Sequence, residues 1–341
     1  MLETIWFALW GLLWAIYFML DGFDLGAGAL LPFLAKDEQD KRTIYHSMGP
    51  FWDGNEVWLI TAGGVTFAAF PTAYAVMFSS LYSALMLILF CLIIRGVALE
   101  YRGKVEGHGW REGWDMLLFI SSALPALLFG VAFANIFQGI PIDAEGIYRG
   151  SLFTLLNPYG LLGGLLFLCL FLYHGALWLG IKAGGELKQR ARRCAKALWA
   201  PLLILAVAFL VATWFATNLY QNYLAYPVLW ILPALAVAGL LATRLFLQQG
   251  AAWRSWFASS AVVVGATLFG VAGLYPNLLP SSIDPKASLT IANAASSPLT
   301  LKIMLGVALV MVPVVIAYQI WVYHIFRHEV SPEDLAYEEG Y

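Results

Sequence analysis

Charged residues are scarce in this sequence. Only 12% of its 341 residues are Asp, Glu, Lys or Arg, whereas 61% are apolar and the mean hydropathy is +0.76. No ordinary water-soluble domain has this composition. The alternating ten-residue segments that are typical of an outer-membrane β-barrel are also absent, so the apolar runs should cross the membrane as helices. The sequence therefore predicts an all-α integral membrane protein.

Residues that bind cofactors are also few. The three cysteines lie far apart and indicate neither a disulfide framework nor a metal site. A haem carrier needs axial ligands, typically two His or a His and a Met, and the five histidines supply no such pair within the membrane. His174 lies within a predicted span, whereas His324 and His328 lie at the inner end of the last one. His324 and His328 could bind a metal, but Arg327 between them favours a solvated helix end.

Catalytic motifs are missing as well. The sequence has no phosphate-binding loop and no nucleophile motif. Nothing in it indicates a nucleic-acid partner. We therefore predict no catalytic residue and no metal ligand in this chain, which by itself looks catalytically incomplete.

Nine apolar runs are long enough to be helices, since about 20 residues cross a bilayer. The predicted helices are 4–34, 53–70, 72–95, 115–138, 153–181, 197–216, 226–247, 257–275 and 300–326. The first run is too long for a cleavable signal peptide and lacks a basic flank, so it should be retained. Residues 1–341 are expected to form a single polytopic membrane domain, with the polar segment 276–299 lying over the outer helix ends.

The basic residues give the orientation, because cytoplasmic loops collect Lys and Arg. With the N-terminus outside, 16 of the 19 basic residues lie on the cytoplasmic side. They are Lys36, Lys41, Arg42, Arg95, Arg102, Lys104, Arg111, Lys182, Lys188, Arg190, Arg192, Arg193, Lys196, Arg244, Arg254 and Arg327. The outer side keeps Arg149, Lys286 and Lys302. An even number of spans would remove this asymmetry.

Two aspartates interrupt the first apolar run, in the stretch "YFMLDGFDLGAGALLPFL". Asp21 and Asp24 are three residues apart, so they share nearly one face of the inner half of the helix. A buried carboxylate must be paired, protonated or open to water. Two interpretations remain: the aspartates bond to an adjacent helix as structural contacts, or they belong to a proton or ion route.

A second acidic pair opens the next helix, in "PFWDGNEVWLITAGG". Asp53 followed by Glu56 resembles a capping box, which would explain both acids structurally. The pair nevertheless lies at the same predicted depth as the aspartates of the first helix. Acids that converge at one depth indicate a proton entry.

Several stretches resemble subunit II of the cytochrome bd-type quinol oxidases. They are "DGFDLGAG", "FWDGNEVWLITAGG", "ALEYRGKV", "GVAFANIFQGIP", "LLNPYGLLGGL" and "YPNLLPSSIDPKASLTIANAASSPLTLKIM". They occur in the family's order over nearly the whole chain, and the two acidic motifs are highly specific. The resemblance implies a nine-helix subunit with two four-helix bundles and one extra helix, in the bacterial cytoplasmic membrane.

The resemblance also implies a function. The family couples quinol oxidation to reduction of oxygen to water, with haem b, haem d and the quinol site in subunit I. Subunit II would stabilise that haem subunit and contribute a proton path and an oxygen path. The implied partners are subunit I, a small single-span subunit and lipid, and some relatives hold a structural quinone in subunit II.

Individual roles follow only where a motif matches. By resemblance, Asp53 takes up protons, Asp24 lines the same route with Asp21 and Glu56, and Trp58 lies near a lateral oxygen channel. Relatives can carry a histidine immediately before the Trp-Asp-Gly-Asn motif, where this chain has Phe51, so a histidine relay at that position is not expected here.

A proton- or cation-coupled transporter is the alternative function. It would also combine many spans, glycine-interrupted helices and intramembrane acids. The inner-half position of the acids argues against it, because transport sites prefer the middle of the membrane.

Overall fold

The computed structural model describes residues 1–331 and 333–336, and this part of the chain is mostly helical. The helices are α1 (Leu2–Leu34), α2 (Glu38–Met48), α3 (Trp52–Ala69), α4 (Pro71–Ser80), α5 (Tyr82–Tyr101), α6 (His108–Gln138), α7 (Pro158–Lys182), α8 (Gly185–Ala216), α9 (Tyr220–Ala225), α10 (Ile231–Gln248), α11 (Ala252–Leu274) and α12 (Pro298–Ile325). Two short antiparallel strands, β1 (Asn277–Leu279) and β2 (Leu289–Thr290), lie between α11 and α12.

Eight of the described helices are long and apolar enough to cross a membrane, namely α1, α5, α6, α7, α8, α10, α11 and α12. The segment predicted at 53–70 forms α3, which has 18 residues but carries Asp53 and Glu56. It packs along α1, as do α6, α7 and α11. Helix α1 therefore lies at the centre of a group that includes α3, α6, α7 and α11.

The predicted helix 72–95 differs most from the structure. It divides at Leu81, where the backbone leaves the helical region, into α4 and α5. Helix α5 then continues to Tyr101, so Arg95 lies inside a helix and not in the cytoplasmic loop where the sequence analysis placed it. Helix α4 begins at Pro71, whose ring fixes a helical φ at the first position.

Helix α2 was not predicted, because its eleven residues are polar and lie between two apolar runs. Asp37 caps its N-terminus by accepting a hydrogen bond from the Asp40 amide at 2.8 Å. The same kind of cap starts α7, where Asn157 accepts from the Gly160 amide at 2.8 Å. That cap begins α7 five residues after the predicted start at 153.

Glycines allow α1 and α7 to touch through their backbones. A Cβ atom on Gly26 would lie 1.8 Å from the Phe171 carbonyl oxygen, and one on Gly175 would lie 2.4 Å from the Ala27 amide nitrogen. Neither neighbour is a flexible side chain that could move aside. Gly22 and Gly26 have the Gly-x-x-x-Gly spacing that permits close helix approach, and this approach is made against α7.

We expect Gly26→Ala to destabilise the protein by about 1–3 kcal/mol, because the two helices must separate to admit one methyl group. The measurement is the midpoint of thermal unfolding in detergent. Gly109→Ala is the matched control, since nothing lies within 4 Å of its Cβ position. An unchanged midpoint in Gly26→Ala would contradict the backbone contact.

Candidate functional site

Arg95 joins two of the predicted acids deep inside the chain. Its Nη2 atom donates to Asp21 Oδ1 at 2.5 Å and to Glu56 Oε1 at 2.6 Å. Arg95 and Asp21 are both 0% exposed, and Glu56 is partly buried. The guanidinium on α5 therefore connects a carboxylate on α1 with one on α3, which is the pairing that buried charges require.

Asp24 is held by a separate chain of amide groups. Its Oδ2 atom accepts from Asn55 Nδ2 at 2.7 Å, and Asn55 Oδ1 accepts from Gln319 Nε2 at 2.9 Å and from the Tyr323 hydroxyl at 3.1 Å. Gln319 Oε1 in turn accepts from Trp58 Nε1 at 2.6 Å. Three helices, α1, α3 and α12, thus meet in one polar network around Asp24.

Asp53 stands apart from this network. It is exposed in the first turn of α3, where its Oδ1 accepts from the adjacent Gly54 amide at 2.7 Å. The N-cap of α3 is Phe51, and the Glu56 carboxylate is bonded to Arg95. The capping-box interpretation is therefore wrong, because Asp53 is not the cap residue and Glu56 is used elsewhere.

Carboxyl groups outnumber basic groups at the site. Arg95 pairs with Asp21 and Glu56, whereas Asp24 forms no ion pair and its Oδ1 atom accepts no hydrogen bond from the described residues. Arg95 also keeps two buried donors, Nε and Nη1, that no described residue accepts. Buried polar atoms of this kind are usually satisfied by water or mark a functional site. The site therefore combines an excess of carboxyl groups with buried polar atoms that no described residue satisfies.

Ion pairs join Arg102, which directly follows α5, to the first residue of α2 and to the N-terminal part of α6. Arg102 donates to both carboxylate oxygens of Glu38, at 2.8 and 2.9 Å, and to Asp115 Oδ1 at 2.6 Å. Burial raises the pKa of the Glu38 carboxyl, but the hydrogen bonds and charge of Arg102 outweigh burial and lower that pKa. Since the pKa is lowered, the pair stabilises fully at neutral pH and is lost only as the pH falls through the lowered value.

His174 does not fit the role of a haem ligand. Its Nε2 atom lies 3.0 Å from the Met19 carbonyl oxygen, its Nδ1 atom contacts the Ser259 hydroxyl, and its ring stacks on Trp256. Both ring nitrogens are therefore engaged within the protein. Among the described residues, no group of three or more His, Cys, Asp or Glu side chains could hold a metal ion.

A cavity of about 530 Å³ opens beside Trp58. It lies between α1, α11 and α12, and its walls are mostly apolar, including Leu20, Trp256 and Ile320. Trp58 is buried and lies on the cavity wall. The residue that the sequence analysis linked to oxygen thus borders a space that a small apolar molecule can enter.

The sequence analysis missed three members of the site: Arg95, Gln319 and Tyr323. The available signal was Arg95, a basic residue directly after the apolar run "LMLILFCLII". It was assigned to a loop because the predicted helix ended there. Gln319 and Tyr323 lie more than 260 residues from their partner Asn55 and carried no local signal.

Known proteins resemble this chain over nearly its whole length. A family model described as cytochrome bd terminal oxidase subunit II matches residues 2–326. Cytochrome bd-I ubiquinol oxidase subunit 2 of Escherichia coli K12 is 37% identical over 368 residues, covering 98% of this chain and 96% of that protein. Cytochrome bd ubiquinol oxidase subunit 2 of Bacillus subtilis is 35% identical over 338 residues, covering 98% of each.

The fold has a solved counterpart as well. A chain in the structure of bd oxidase from Geobacillus thermodenitrificans superimposes with a TM-score of 0.73 at 17% identity, over 95% of this chain and 98% of that one. At this identity the likeness concerns the fold alone. The family model and the full-length relatives decide the membership: the chain belongs to the cytochrome bd terminal oxidase subunit II family, as its two acidic motifs predicted.

Proposed function

We propose that this chain stabilises the haem subunit of its oxidase and carries protons toward the site of oxygen reduction. As a family member it is subunit II of a cytochrome bd quinol oxidase, an oxidoreductase, and a multi-pass protein of the bacterial inner membrane. The observation that carries the proposal is the gathering of three buried or half-buried acids around one arginine and one asparagine.

The proposed route begins at Asp53, which is exposed at the first turn of α3. Glu56 lies one turn further, within reach of the same helix face. Arg95 then links Glu56 to Asp21, and Asp24 lies one turn from Asp21 on α1. Carboxyl groups and water can relay protons between such positions. The role of Trp58 in an oxygen path is a separate proposal, which the adjoining cavity supports.

Haem b and haem d are proposed to lie in subunit I, with quinol as the substrate, because His174 does not fit haem ligation here. We also propose a structural quinone in this subunit. A cavity of about 850 Å³ among α1, α3, α4, α5 and α6, with walls that include Trp10, Phe67 and Phe129, would suit its isoprenoid tail. Solvent extraction of the purified oxidase should then yield more quinone than its quinol-oxidising site alone can hold.

The proposed architecture has nine spans, arranged as two four-helix bundles and a peripheral helix, with the N-terminus outside and residues 1–341 in one membrane domain. Helix α3 would be the ninth span, because 18 residues cover about 27 Å. The proposed partners are subunit I, a small single-span subunit and lipid. The exposed apolar side chains of α5 and α12 leave surface for them.

Haem spectra test the assignment. Membranes that contain this chain together with its haem subunit should show b- and d-type absorption bands, and this chain purified alone should show no stoichiometric haem. A transporter, which the family membership does not favour, would show no such bands in either preparation. A stoichiometric haem spectrum in the isolated chain would contradict the proposal that the haems lie in subunit I.

A further inference from the structure

We propose that Tyr17 is a positioning residue of the proton route, and that its hydroxyl donates a hydrogen bond to the Asp21 oxygen that Arg95 leaves open. The inference rests on the proposed function, because a residue that orients Asp21 affects turnover only if protons pass through this site. Tyr17 is not one of the acids in that route. It is fully buried within this chain, so the proposal does not depend on what covers the outer surface.

Tyr17 is buried among groups that offer its hydroxyl no acceptor. The residue is 0% exposed, and its ring packs against Trp14, Phe18 and Phe129 with centroid distances of 6.2, 5.4 and 5.4 Å. Among the described residues, the hydroxyl has no hydrogen-bond partner. A hydroxyl buried in this way is costly, so such a group usually has a partner or a function.

Asp21 supplies the missing acceptor. It follows Tyr17 by four residues on α1, and residues at this spacing are neighbours on one helix face. Arg95 donates to Asp21 Oδ1, whereas Oδ2 accepts no hydrogen bond from the described residues. The Tyr17 hydroxyl interacts with the Asp21 carboxylate but lies outside hydrogen-bonding geometry. An open donor and an open acceptor are therefore neighbours, and a small side-chain rotation would join them.

This bond would divide the roles of the two aspartates on α1. With Arg95 on one oxygen and Tyr17 on the other, each oxygen of Asp21 accepts a hydrogen bond. Asp24 keeps its Oδ1 atom open, and its other oxygen accepts from the neutral Asn55 amide. Tyr17 thus makes Asp21 a fixed charge beside Arg95, and Asp24 is the carboxyl that takes up and releases the proton. Without the hydroxyl, Asp21 competes for that proton and transfer slows.

The test compares Tyr17→Phe with Tyr173→Phe in the assembled oxidase. Tyr173 is the matched control, because it is also 0% exposed and its hydroxyl also has no hydrogen-bond partner among the described residues. It lies on α7, where its hydroxyl interacts with Thr243. We expect kcat to fall about tenfold in Tyr17→Phe, the effect of losing one hydrogen bond to a charged group. Tyr173→Phe should keep wild-type kcat.

Two further measurements separate positioning from a structural role. In Tyr17→Phe, haem content, KM for quinol and the rate of haem reduction by quinol without oxygen should match wild type, because these do not depend on proton delivery. The ratio of turnover in H₂O to turnover in D₂O should rise, because proton transfer then limits the rate. A structural defect would instead lower haem content and leave this ratio unchanged.

Wild-type kcat in Tyr17→Phe would overturn the proposal, and so would an equal loss of kcat in Tyr173→Phe. Loss of haem together with turnover in Tyr17→Phe would also overturn it, because the role would then be structural. Asp24→Asn distinguishes this inference from the proposed function. If Asp24→Asn is slow and Tyr17→Phe is not, only the inference fails. If Asp24→Asn keeps wild-type turnover, the proton route fails and the inference fails with it.

Discussion

Oxidase that carries Arg95→Gln should assemble poorly and lose haem at a lower temperature than wild type. The substitution leaves Asp21 and Glu56 without a counter-charge in a buried position, and removing one member of a buried ion pair costs about 3–5 kcal/mol. The measurement is the yield of haem-containing two-subunit complex, followed by the midpoint of thermal haem loss. This is the largest structural effect that we expect from a single substitution.

Two further variants make the expectation specific. Arg254→Gln removes an exposed arginine and should leave yield and midpoint unchanged. Arg95→Gln combined with Glu56→Gln should recover part of the loss, because only one carboxylate then remains unpaired. If Arg95→Gln alone assembles with wild-type yield and midpoint, the ion-pair cluster does not hold α1, α3 and α5 together.

Turnover should fall severalfold or more in Asp24→Asn and in Asp53→Asn, while haem content stays near normal. The asparagine at position 24 can still accept the hydrogen bond from Asn55, and Asp53 caps no helix, so neither change should disturb the fold. Asparagine cannot take up and release a proton at neutral pH. Oxygen consumption per haem with excess quinol measures the effect.

The controls separate proton transfer from structure. Glu186→Gln neutralises an exposed acid in the first turn of α8, outside the site, and should keep full turnover. Asp24→Leu should cost stability as well as activity, because it removes the shorter of the two hydrogen bonds that the buried Asn55 amide donates and leaves only the one to the Leu20 carbonyl oxygen at 3.1 Å. Wild-type turnover in both asparagine variants would remove the proton route, and parallel loss of haem and activity would assign Asp24 and Asp53 a structural role.

The family and the membrane-spanning nature of the chain could be predicted from the sequence, because both depend on long apolar runs and on contiguous motifs. The acidic residues of the site could also be identified from the sequence, since a carboxylate in an apolar run is conspicuous. Their individual roles remain predictions. The polar helix α2 gave no apolar signal and was missed.

Which side chains of the site pair with one another could not be predicted from the sequence. Arg95 carries no mark of whether it faces lipid headgroups or Asp21, 74 residues earlier. Asn55 was noticed beside Asp53, but its bonds to Asp24 and Gln319 depend on how three helices pack. Tertiary packing decides such contacts, and hydropathy alone carries no information about them.

The Asp24 network can be completed only late in the synthesis of the chain. Gln319 and Tyr323 lie on α12, the last long helix among the described residues, and Leu301 is the single residue of α12 that is buried there. Until α12 inserts, the side-chain oxygen of Asn55 accepts a hydrogen bond from neither Gln319 nor Tyr323. Completion of the network therefore requires that α12 has inserted, so a subunit truncated before α12 would present an unfinished polar site to the membrane's quality-control proteases.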